Sequence, residues 1–62
     1  MYTVKETRRA KGISVEKMAK LLGVHPNTYS NWENKPSKIS MSYAIKICEI
    51  FEKDINEVSF LP

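Results

Sequence analysis

Residues 15–34 read VEKMAKLLGVHPNTYSNWEN. Val15, Met18, Ala19 and Leu22 recur at helical spacing, which predicts an amphipathic helix from Val15 to Leu22 with Ser14 as its N-cap. Gly23 directly follows the last periodic residue and is the stop signal. A second helix is predicted from Pro26 to Glu33 or Asn34, because proline is tolerated where the first helical amide would be unpaired anyway. His25 then falls at the N-cap, where histidine is not a preferred residue. Ala19 is small enough to let the two helices approach, and Gly23 permits a sharp turn between them. Tyr29 and Trp32 define the inward face of the second helix, which they bury together with Val24 of the turn. Asn27, Ser30, Asn31 and Asn34 are left on the outward one.

Outward from this unit, the remaining apolar spacing is also helical. Thr3 and Glu6 form a capping box for a helix from Val4 to Lys11, closed by Gly12. Lys35 to Ile39 reads as a loop, since Pro36 disfavours helix at the residue before it. A helix from Met41 to Glu52, capped by Ser40, carries the stripe Ala44, Ile47, Cys48 and Phe51. Ile55 and Val58 continue the period into a last helical turn capped by Asp54, and Phe60 and Leu61 remain as an apolar tail. The expected fold class is all-α: a compact bundle of about five short helices, no strand, and one domain over residues 1–62.

A chain of 62 residues buries only about 60% of the surface its unfolded form exposes, which leaves little room for both a core and a catalytic cleft. The net charge is +3, unevenly spread. Residues 1–38 carry Lys5, Arg8, Arg9, Lys11, Lys17, Lys20, Lys35 and Lys38 against Glu6, Glu16 and Glu33, a balance of +5; residues 39–62 carry −2. An anionic partner for the first part is one reading of that asymmetry, and a solvated surface is the other. Cys48 has no second cysteine to pair with and falls in the apolar pattern, as a buried small hydrophobe does. No apolar run reaches the ~20 residues that span a bilayer, and no signal-peptide pattern opens the sequence, so a soluble cytoplasmic protein is expected. His25 lacks partner ligands for a metal. There is no nucleophile–base arrangement, paired carboxylates or phosphate-cradling glycine loop, so neither an enzyme, a cofactor nor a small-molecule substrate is expected.

An outward helix face of small amides and hydroxyls suits base edges, because asparagine donates and accepts together. Ala19, Gly23, Val24, Tyr29, Trp32 and Glu33 stand where the phage repressor and Cro family, the XRE-type helix-turn-helix, has its signature, and the stretch from Val4 through Val58 resembles that family without a gap. The resemblance implies a lambda-repressor-like bundle that places the helix from Pro26 in the major groove of double-stranded DNA. By position it implies base-edge contacts from Pro26, Asn27, Ser30 and Asn31. It implies phosphate contacts from the helix start at Ser14 and Val15 and from Asn34, Lys35, Ser37 and Lys38, with His25, Lys17 and Arg9 as weaker candidates. It also implies a structural ion pair between Arg8 and Glu33.

Three positions depart from the family pattern. Val15 stands where glutamine often clamps a phosphate, Lys35 where glycine is common, and Ile39 where proline is usual. Twofold operator half-sites would require a homodimer. Ile55, Val58, Phe60 and Leu61 are the candidate dimer surface, unless this tail folds back onto its own core. The functional expectation is a sequence-specific transcription regulator of the repressor or Cro-like kind. An antitoxin or restriction-controller regulator is the alternative on the same fold, and a protein-interaction module is the alternative from another class.

Overall fold

The computed structural model describes residues 1–61. Four α-helices follow a short strand: β1 (Tyr2–Thr3), α1 (Val4–Ala10), α2 (Val15–Leu22), α3 (Pro26–Asn34) and α4 (Met41–Phe51), with β2 (Val58–Ser59) after them. Three-residue helical turns at Pro36–Lys38 and Ile55–Glu57 complete the order.

The caps explain most of the helix bounds. Thr3 Oγ1 accepts from the Glu6 amide at 3.1 Å while Glu6 Oε1 accepts from the Thr3 amide at 2.9 Å, so two orphan donors are satisfied at the start of α1. Ser14 Oγ accepts from the Lys17 amide, and Ser40 Oγ from the Tyr43 amide. At α3 the cap is His25, whose Nδ1 accepts from the Asn27 amide at 3.0 Å. The imidazole thus supplies the acceptor that Ser or Asp would ordinarily provide. Gly23 ends α2 with φ +71°, a left-handed conformation in which a side chain would be strained.

The core forms where the apolar stripes meet. Val4, Met18, Tyr29, Ile47 and Phe51 are fully enclosed, together with Ala19, Leu22, Ala44, Cys48 and Val58. Burying each of the larger side chains stabilises the fold by roughly 1.5–3 kcal/mol before entropy is counted. Val15, Val24, Trp32, Ile39 and Phe60 are partly buried against this cluster.

Two expectations are corrected. Among the described residues the bundle has four α-helices rather than about five: Ile55–Glu57 forms a single tight turn, held by Glu57 Oε1 accepting from the Asp54 amide at 2.8 Å. A strand pair is present where none was expected. β1 and β2 run parallel, with Tyr2 opposite Val58 and Thr3 opposite Ser59. Val58 is therefore extended rather than helical and 3% exposed, enclosed within its own chain, so it offers almost no surface of its own. Phe60 also packs back on the core, whereas Ile55 and Leu61 remain exposed.

Candidate nucleic-acid interface

α2 and α3 form the helix-turn-helix at residues 15–34. Tyr29 anchors α3 inward with no exposed surface. One consequence of helical spacing is that Asn27 and Asn31, four residues apart, share the opposite face; both are exposed. Pro26 and Ser30 are half-buried at the margin of that face. Asn34, Lys35, Ser37 and Lys38 are exposed around its carboxyl end. At the other side of the turn, Ser14 and Lys17 are exposed at the start of α2, and Val15 is half-buried against the core. His25 is exposed but its Nδ1 is engaged as the α3 cap, and Arg9 is exposed on α1.

The face is held in position by a network on the inward side of α3. Arg8 Nε donates to Glu33 Oε2 at 2.7 Å and Arg8 Nη2 to Glu33 Oε1 at 3.3 Å, a two-pronged pair. The Tyr29 hydroxyl donates to the same Oε2 at 2.5 Å, and Arg8 Nη1 donates to the Ile13 carbonyl at 2.8 Å. The carboxylate thus accepts three hydrogen bonds, two of them on Oε2, and the guanidinium also braces the loop between α1 and α2. Its hydrogen bond to Glu33 pushes the Arg8 pKa above its ordinary value, against the opposing effect of burial. Burial, and then the bond to Glu33, drives the Tyr29 hydroxyl far above the ordinary tyrosine range. Both groups keep their protons throughout the physiological range.

Tyr29 was legible as a core residue, but its hydrogen bond to Glu33 was not drawn from the sequence. Their spacing of four on one helix was the available signal. A second feature also lay outside the sequence reading: an open groove bounded by Thr28, Asn31, Trp32, Asn34, Lys35 and Lys38. Trp32 is half-buried, packing on Tyr43 of α4 with ring centroids 4.8 Å apart and planes inclined by 49°.

The loop tolerates its unusual residues for local reasons. Lys35 has φ −134°, so no glycine is required there. Ile39 has φ −73°, close to the value proline would fix, and its side chain packs against the core. Among the described residues no group of His, Cys, Asp and Glu could hold a metal ion, and no helix is long and apolar enough to cross a membrane.

No curated protein and no solved structure matches the sequence. A family model described as helix-turn-helix matches residues 4–58, from the first residue of α1 to the first of β2. That family is one of DNA-binding regulatory domains rather than catalytic ones. With the two-helix unit, its buried anchor and its exposed amide face in place, the match over most of the chain settles the assignment: this protein belongs to the XRE-type, Cro/C1-like helix-turn-helix family.

Proposed function

We propose that the chain is a sequence-specific regulator of the repressor or Cro-like kind, reading double-stranded DNA with α3 in the major groove. The observation that supports this most is the division of α3: Tyr29 is wholly enclosed while Asn27 and Asn31 are free on the opposite side. Each asparagine amide can bond bidentately to an adenine, worth ~1–3 kcal/mol of discrimination per good pair. Pro26 and Ser30, at the margin, suit contact with a thymine methyl. Ser14, the α2 amides, Asn34, Lys35, Ser37 and Lys38 would fix the register on phosphates, with His25, Lys17 and Arg9 nearby. A homodimer would read two half-sites about one DNA turn apart, with Ile55 and Leu61 as the exposed apolar candidates for its contact.

Selection of bound duplexes from a random pool tests the reading. A recovered consensus whose affinity falls with salt, at a log–log slope of about −0.9 per phosphate contacted, supports it. Failure to enrich any duplex rejects it.

A further inference from the structure

The groove beside α3 is not accounted for by the base-reading face. Its six lining residues, Thr28, Asn31, Trp32, Asn34, Lys35 and Lys38, include two ammonium groups and no carboxylate. Each of the six carries an N–H or O–H donor. Trp32 makes no side-chain hydrogen bond among the described residues, and no fully enclosed side-chain nitrogen or oxygen there lacks one, so the indole nitrogen is not sealed off. The ring is half-buried and has an aromatic neighbour that restricts it. Tyr43 packs on it from α4, and Lys46 Nζ lies 5.4 Å from the Tyr43 ring centroid. A donor restricted in this way loses less conformational freedom on binding than a lysine does.

We propose that the groove seats one backbone phosphodiester of the bound duplex, and that the Trp32 indole N–H donates to it alongside Lys35 and Lys38, with Tyr43 as a positioning residue. Two ammonium groups and an indole N–H with no carboxylate among them suit an anionic acceptor, which a backbone phosphate is and an uncharged base edge is not. Asn31 belongs both to the groove and to the outward face of α3, so the phosphate lies on a strand whose bases that face meets. This assignment rests on the DNA reading of α3 and adds to it a contact that carries no charge.

Trp32 is the chain's one tryptophan, so its emission reports on the groove directly. The duplex recovered by selection is titrated into the wild-type protein, with anisotropy of a labelled strand reporting binding independently. Trp32 emission should shift or quench in step with the anisotropy. Trp32→Phe keeps a ring against Tyr43 but removes the donor; it should bind all duplexes roughly tenfold more weakly without changing sequence preference. Its salt slope should stay unchanged, whereas Lys35→Ala should lower the slope by about 1. A methylphosphonate scan should find one phosphate whose neutralisation weakens the wild type more than it weakens Trp32→Phe. Emission that does not move at saturating duplex, or a folded Trp32→Phe that binds as tightly as wild type, overturns the proposal and leaves the DNA reading standing. The emission measurement needs no variant and decides the matter if the phenylalanine protein does not fold. A pool from which no duplex is recovered overturns both.

Discussion

Arg8 and Glu33 meet across the bundle at 2.7 Å, with side chains only 10% and 5% exposed. The contact joins α1 to the last turn of α3, so the orientation of α3 depends on a residue remote from its exposed asparagine face. Removing one partner leaves the other charged and enclosed. Arg8→Ala should therefore cost ~3–5 kcal/mol and lower the melting temperature by at least ~10 °C without any DNA present. Replacing both partners by apolar residues of similar volume should cost less than removing Arg8 alone. A thermal melt of the single variant that matches wild type would refute the structural role.

The Tyr29 hydroxyl gives stability a dependence on alkaline pH. Its folded pKa is raised far above the ordinary value of 10.0, so the unfolded chain loses this proton first as pH rises. The contribution is fully present below about pH 10 and declines above it, with a limiting slope of ~1.4 kcal/mol per pH unit for one proton. Cys48, whose thiol is also raised by burial, adds a fall of the same sign. Urea titrations between pH 8 and 11 should show the decline, and Tyr29→Phe should make it shallower by about one proton. An equal slope in the variant would place the linked proton elsewhere.

Reading and anchoring should separate by mutation. Asn31→Ala should alter which duplex is preferred, because it removes a donor and an acceptor together from the exposed face. Lys38→Ala should weaken all duplexes about equally and reduce the salt slope by about 1. Two variants with the same profile across a duplex library would contradict the division of roles.

At Gly23 the backbone alone sets the cost of substitution. A Cβ there meets nothing within 4 Å, but φ is +71°. Gly23→Ala should thus destabilise by ~1–2 kcal/mol, and Gly23→Asn by less, since asparagine tolerates the left-handed region better. Chemical denaturation curves of the two variants give the comparison. A more stable alanine protein would count against the turn geometry.

Much of the architecture is legible because capping and periodicity act locally. Ser14 and Gly23 bracket α2 at the bounds expected of it, and Pro26 opens α3. What escaped depends on partners distant in sequence or on unfavoured chemistry. A strand of two residues has no alternation to read, so Val58 passed for a helical residue, although its register is set by pairing with Tyr2. α4 closes at Glu52 with φ +58°, a position where glycine would have been the written signal. The exposed asparagines are legible as outward residues from the inward spacing of Tyr29 and Trp32. The groove was not, because it needs Trp32 turned against Tyr43, and Tyr43 belongs to a different helix.

The parallel pairing of Tyr2 with Val58 and Thr3 with Ser59 acts as a latch between the two extremes of the described fold. Closing it ties together residues separated by nearly the whole sequence, an entropic cost that falls once the helices between them have packed. The latch is therefore a contact of high sequence separation at the margin of a fold whose other contacts are mostly local.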